Sequence, residues 1–456
     1  MSDKEGINKI EEGIKNLSTE QVNDKPEQVK DESKDKKAPT DSAEAVVEVK
    51  LAASNVKDLT DKLYVGASTF EDMKLHEKLL ENIYRVGFIK PSKIQEKAIP
   101  LLLHDPPTNL IGQSQSGTGK TAAFTLAMLS RINIDLKAPQ AIVLAPSREL
   151  VRQILFVVQS LGKDYPVSIQ LAVKDSLPKG GKIESNIIIG TPGTVIDLIR
   201  KRRLLTNNIR FFVLDEADNM LDLQGLGDQS IRIRKMVPAS CQIALFSATF
   251  SPNLWKFANR FAPNANKISL KTEELSVEGI KQFYMDCKDE KQKEEILSVI
   301  YGLLSVSQSM IFVARRDVAD RLGRKMTNEG HKVIVLHGKF EGDERDQVMD
   351  DFRSGKAKVL ITTNVLARGI DVLQVNLVIN YDIPLDGEGR PDPETYLHRI
   401  GRTGRFGRVG VAINFVHDKK SYNDMKVIEK YFGKEIIRIP TDDYEEIEKI
   451  FKENVN

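Results

Sequence analysis

Only two of the 456 residues are cysteine, Cys241 and Cys287, and neither belongs to a CxxC pair. That scarcity argues against a disulfide framework or a cysteine zinc site and fits a reducing compartment. The six histidines are scattered without metal-ligand spacing. No run of about 18 apolar residues occurs, which argues against a membrane span. No apolar run follows Met1-Ser2-Asp3-Lys4, so a secretory signal is not expected. Aromatic residues are absent from the first 63 positions, which are crowded with Lys, Glu, Asp, Ser and Gln. Such a segment buries too little apolar surface to offset its ordering entropy. Residues 1–67 are therefore predicted to be a disordered acidic extension, with a transient helix expected within 43–64. Its use is either a partner-binding arm or a solubilising tail.

Strong charge of one sign is missing too, since the net charge is only +2. The tail carries 11 Lys against 15 Asp or Glu, a balance of −4, which leaves +6 for the remainder. A modestly basic body is compatible with nucleic acid as partner without establishing it.

Apolar runs then alternate with longer amphipathic stretches. Strands are expected at 109–112, 141–145, 186–190, 211–214 and 242–246. After a polar stretch at 271–276 they resume at 280–285, 309–314, 332–336, 358–362, 375–380 and 411–416. Continuous apolar strands with helical crossovers indicate parallel sheets covered on both faces. The expected fold is α/β: two tandem parallel-sheet domains, 68–271 and 280–456, joined by a short linker at 272–279.

The segment Gln113-Ser114-Gln115-Ser116-Gly117-Thr118-Gly119-Lys120-Thr121 follows the first strand and precedes an apolar helical stretch. Glycines there let backbone N–H groups close around phosphate oxygens, and the helix N-terminus favours the anion. Lys120 is placed to reach the β- and γ-phosphates and Thr121 to ligate Mg²⁺, with Ser114, Gln115, Ser116, Gly117, Thr118 and Gly119 as the cradle. Ser114 stands where the strict pattern has Gly.

Asp215 and Glu216 sit at the C-terminal end of the expected strand 211–214, the edge where open parallel sheets bind ligands. Asp215 is the candidate Mg²⁺ ligand, and Glu216 the candidate to orient or deprotonate the attacking water. A helix-capping acidic pair is the plainer alternative. The hydroxyls of Ser247 and Thr249 would link these carboxylates to the domain boundary, unless Thr249 or Ser251 simply caps the next helix. In the second half, Gly369 and Asp371 are candidates for the nucleotide, Asp371 through a ribose hydroxyl. Arg402 and Arg405, three apart, are expected on one helical face. Opposite the phosphate loop they would stabilise transition-state charge; a solvated basic helix end is the alternative. The division of these motifs between the two halves predicts an ATP site closed between two domains.

In these motifs, and in Asp215-Glu216-Ala217-Asp218 above all, the chain resembles the DEAD-box ATP-dependent RNA helicases over about residues 68–450. The resemblance implies RecA-like domains. Gly87-Phe88, Pro91-Ser92 and Ile94-Gln95, with Phe70 upstream, match the adenine-reading motif, so Gln95 is expected to select ATP. Pro146-Ser147-Arg148-Glu149-Leu150 and Thr191-Pro192-Gly193 match RNA-backbone motifs of the first domain, and Arg345 and Thr363 match RNA-contacting positions of the second. Some positions depart from the family. Ser114 replaces Ala, Ser147 replaces Thr, Gly342 replaces the Gln three before Arg345, and Gly180-Gly181 is offset from the glycine doublet.

Within the family the chain is similar to the mRNA-export subfamily of the nuclear pore, through residues 215–227, 105–111 and 440–444 and through its acidic tail. That likeness implies a docking nucleoporin and an export activator that uses inositol hexakisphosphate. It also implies a monomer working in nucleus and cytoplasm, at the cytoplasmic face of the pore. The expected function is RNA-dependent ATP hydrolysis that remodels ribonucleoprotein on single-stranded RNA. The alternatives are an ATP-gated RNA clamp or scaffold, a helicase of translation or ribosome assembly, and a processive DNA translocase.

Overall fold

The computed structural model describes residues 47–51, 66–114, 117–174, 176, 180–222, 225–270, 280–303, 308–364, 375–403 and 410–454. The first lobe holds β1 (Val47–Lys50), β2 (Leu110–Gln113), β3 (Ala141–Leu144), β4 (Ile169–Ala172), β5 (Ile187–Gly190), β6 (Phe211–Leu214), β7 (Gln242–Ser247) and β8 (Asn266–Leu270). They form one sheet in the order β1-β8-β2-β7-β6-β3-β5-β4. Every pairing is parallel except that of β1 with β8. The second lobe holds β9 (Ile280–Asp286), β10 (Ser309–Phe312), β11 (Val333–Leu336), β12 (Val359–Thr362), β13 (Leu377–Asn380), β14 (Gly410–Val416) and β15 (Ile437–Ile439). Its all-parallel order is β11-β12-β10-β13-β14-β9-β15.

The central strands are apolar at successive positions because each sheet is buried on both faces. Ile142 and Leu144 pack with Phe212 and Leu214 on one side of the first sheet, while Ala141, Val143, Phe211 and Val213 pack on the other. The second sheet repeats this, with Ile311, Val359 and Ile361 on one face and Met310, Phe312 and Leu360 on the other. Each fully buried Leu, Ile or Phe contributes roughly 1.5–3 kcal/mol.

Eleven expected strands are present to within two residues at either end. Four others, β1, β4, β8 and β15, were not anticipated. Three of them are sheet edges, and β8 lies one place in from an edge. Most of the N-terminal extension lies outside the described residues, but Val47–Lys50 is a strand where a helix was expected. The linker at 272–279 also lies outside them. Among the described residues no helix is long and apolar enough to cross a membrane.

Cys241 and Cys287 are buried free thiols, and burial pushes each up to about 12. The thiolate is the reactive form, so at pH 8 only about 1 in 10⁴ of either thiol is available. A maleimide is therefore expected to leave the native chain unmodified over minutes and to label both thiols in guanidinium. Rapid native labelling, read by intact mass, would contradict this burial.

Candidate active site

Parallel strands place their following loops on one edge of each sheet. In the first lobe that edge gathers the loops after β2, β3, β5, β6 and β7; in the second it carries the loop after β12. The loop after β2 is tied to the sheet where Ser114 N–H donates to the Ser247 carbonyl at 3.0 Å. Gly117 and Gly119 have φ of 83° and 94°, a region glycine enters without strain. A side chain at 119 would also meet Gln95 Nε2 at 2.3 Å. Lys120 and Thr121 open the helix Lys120–Arg131, and the buried Lys120 ammonium donates to the Ser114 carbonyl. Ser114 Oγ and Thr118 Oγ1 share a hydrogen bond across the loop. Gln115 and Ser116 lie outside the described residues.

Gln95 belongs to a capping box at the start of the helix Lys93–Leu103. Its Oε1 accepts from Ser92 N–H at 2.9 Å and its Nε2 donates to the Gly119 carbonyl at 3.2 Å. The residue thus braces the phosphate loop from its rear. Phe70 is 1 % exposed and meets Tyr84 and Phe88 edge-on, at 6.5 and 6.3 Å between ring centres. It anchors this segment in the core, and in this state its ring offers no open face to a base.

Asp215 follows β6 and is buried, which pushes its carboxyl up to about 7. Lys120 acts against that rise, while Glu216 and Asp218 add to it. A buried carboxyl beside two others, facing a phosphate loop, is a fitting site for a divalent cation, whose charge would restore its ionised form. Glu216 adopts φ of 50°, a left-handed backbone costly for a side chain of its size. Its Oε2 accepts from Asn219 Nδ2 at 2.6 Å, which fixes the carboxylate.

Asp218 makes one of the contacts between lobes. Its Oδ2 accepts from Thr249 Oγ1 at 3.0 Å and lies 3.2 Å from His398 Nε2 of the second lobe. Its own N–H donates to Ser247 Oγ at 3.2 Å. Both hydroxyls thus bond Asp218, not Asp215 or Glu216, and the next helix, Pro252–Phe261, is capped by Ser251. The partnership of Asp218 with His398 was not anticipated; the only signal for it was the presence of both residues in the motifs.

Arg402 differs from expectation. The helix Pro393–Ile400 ends at Gly401, so Arg402 lies in the turn beyond it and not on a helical face. Its Nε donates to the His398 carbonyl at 2.9 Å. Arg405, Gly369 and Asp371 lie outside the described residues.

Among the remaining candidates, Thr363 follows β12 as expected, while Arg148, Pro192, Gly193 and Arg345 lie at the starts of helices. Pro146 follows β3, and Thr191 stands just before the helix Pro192–Arg200, of which Pro192 and Gly193 are the first residues. Thr363 lines a cavity of about 500 Å³ with Ala314, Arg315, Arg316, Asp317 and Lys339. Those three cations were not singled out from the sequence. Arg148 and Arg345 both reach across the cleft: Arg148 Nη2 lies 2.6 Å from Asp346 Oδ2, and Arg345 Nη2 lies 2.6 Å from Glu149 Oε1.

The model of the DEAD/DEAH box helicase family matches residues 92–257, and that of the helicase conserved C-terminal domain matches 292–407. The ATP-dependent RNA helicase dbp5 of Schizosaccharomyces pombe is 60% identical over 405 residues, 89% of this chain and 80% of that protein. Dbp5 of Saccharomyces cerevisiae bound to RNA and ADP BeF3 superposes with a TM-score of 0.83 at 55% identity, covering 86% of this chain and 100% of that one. A complex of the S. cerevisiae protein with nup159, gle1, IP6 and ADP gives 0.62 at 53% identity, covering 83% and 99%. Similar sequence coverage with different scores points to lobe placement, which here is nearer the RNA-bound arrangement.

Proposed function

As a member of the DEAD/DEAH box helicase family the chain is an ATP-dependent RNA helicase, and we propose that it works as a clamp closed jointly by ATP and single-stranded RNA. The carrying observation is that Asp218, in the four-residue signature of the first lobe, meets His398 of the second beside the phosphate loop. Closing the cleft and completing the catalytic edge are then one event. Each ligand that bridges the lobes raises affinity for the other by linkage.

Gln95 has one N–H and one oxygen lone pair engaged, and a carboxamide carries two of each, so one of each serves an adenine edge. The N–H groups from Gly117 onward and Lys120 hold the phosphates. Thr121 and Asp215 would hold Mg²⁺, which would supply neutralisation of phosphate charge. Glu216 takes or orients the proton of the attacking water, and the role of stabilising charge on the transferring phosphoryl group falls to Arg402 and Arg405. Gly369 and Asp371 complete the nucleotide site from the second lobe.

Pro146, Thr191, Pro192 and Gly193 of the first lobe and Thr363 of the second line the RNA backbone path, with Arg345 beside it. Contacts to phosphates and 2′-hydroxyls favour RNA over DNA with little base preference. By likeness to the S. cerevisiae complexes, the chain acts in mRNA export at the cytoplasmic side of the nuclear pore. Its partners there are a nucleoporin and an inositol-hexakisphosphate-dependent activator.

The test is steady-state ATP hydrolysis with no addition, single-stranded RNA, or single-stranded DNA. Stimulation by RNA alone is expected. Equal stimulation by DNA would favour a translocase, and RNA binding without stimulated turnover would favour a passive clamp.

A further inference from the structure

Two helices begin face to face across the cleft, Arg148–Leu161 of the first lobe and Gly342–Arg353 of the second. Helix starts carry partial positive charge, so their approach is unfavourable unless carboxylates intervene. The first helix supplies Arg148 and Glu149 in its first turn and the second supplies Arg345 and Asp346 near its start, and they pair crosswise. The fully exposed Asp343 of the second helix also lies 3.7 Å from Arg148 Nη2. Arg345 meets Glu149, which is 3 % exposed, while Arg148 meets Asp346. Arg148 Nε lies 3.2 Å from both oxygens of Asp346, and Nη1 donates to the Lys174 carbonyl at 2.6 Å. Arg152, one turn further on, meets the same Asp346 oxygen. The side chains of Arg148 and Asp346 are 15 % and 14 % exposed, so water screens this pair only in part.

Gly342 completes the arrangement. A Cβ at 342 would lie 2.6 Å from Arg148 Nη1 and 3.0 Å from its Cζ. The position where the family has Gln is thus emptied, and the Arg148 guanidinium occupies the space. A longer residue at 342 would displace that flexible side chain and part it from Asp346.

We propose that Arg148, Gly342 and Asp346 form a closure latch, in which Arg148 is a positioning residue that holds the lobes together and not primarily an RNA contact. The proposal rests on the closing-clamp reading. It reverses the sign expected of Asp346. If Arg148 served RNA phosphates, a carboxylate bound to its fork would compete with them, and removing it would strengthen RNA binding. As part of a latch, Asp346 strengthens RNA binding, but only in the closed state.

The test uses the full chain and a fluorescent single-stranded RNA, titrated with ADP–BeF₃ and separately with ADP. Asp346→Asn and Gly342→Gln are each expected to weaken RNA binding about tenfold or more with ADP–BeF₃ and to leave it unchanged with ADP. Gly342→Gln retains every charge, so its effect isolates the displaced guanidinium. Equal melting temperatures across the variants establish that each lobe is folded. Unchanged or tighter binding by Asp346→Asn with ADP–BeF₃, or equal weakening in both nucleotide states, overturns the latch. If the unaltered chain itself binds RNA equally in both states, the clamp reading fails and the latch with it.

Discussion

Glu216→Gln is expected to lower RNA-stimulated ATP turnover by about 10²–10⁴-fold, the usual contribution of a general base, while ATP and RNA stay bound together. The substitution is nearly isosteric. The amide oxygen can still accept from Asn219 Nδ2, which now meets Glu216 Oε2 at 2.6 Å, so the side chain keeps its place. The left-handed backbone at 216 is equally accessible to Gln and Glu, so no new strain enters. What disappears is the capacity to take a proton from water. Nothing in the closing contacts of Asp218 with His398 and Thr249 is touched. The diagnostic pattern is thus a turnover defect without a binding defect, read by single-turnover hydrolysis beside retention of labelled ATP on RNA. Normal turnover in this variant would remove Glu216 from its assigned role.

Arg402→Ala is expected to cost about 10³-fold in the same rate, the lower end of what an arginine supplied to a transferring phosphoryl group contributes. The residue sits in the turn after the helix Pro393–Ile400, where its Nε is anchored on the His398 carbonyl. The chain segment that brings His398 to Asp218 therefore also fixes where Arg402 stands. Arg402→Lys should recover little, because a point charge on a flexible stem keeps neither the anchor nor the planar fork. If alanine at 402 left the maximal rate intact and raised only the RNA concentration required, the residue would be a closure contact and not a catalytic one.

The central strands were legible because burial on both faces leaves an uninterrupted apolar run, as in Phe211–Leu214. Three of the four edge strands were not, for a physical reason. β4 reads Ile169-Gln170-Leu171-Ala172 and β15 reads Ile437-Arg438-Ile439, and each has a neighbouring strand on one side only. Their patterns resemble amphipathic coil. At the site, the phosphate loop and the Asp215–Glu216 pair could be read locally, since strand, loop and helix follow one another in sequence. Partnerships across the cleft could not. Arg148 and Asp346 stand 198 positions apart, and Asp218 and His398 stand 180 apart. Gly342 was visible as a departure from the family, but its meaning depends on a guanidinium from the other lobe.

The strand β1 has a consequence for the order in which the chain assembles. Its sole partner is β8, with Val47 opposite Leu270 and Lys50 opposite Lys267. It is the first described strand to leave the ribosome, yet it has no place to dock until the last strand of its own sheet has emerged. Joining such distant segments closes a long loop, which slows folding. The first lobe is thus sealed by its earliest-made strand, at about the moment β9 of the second lobe begins to appear.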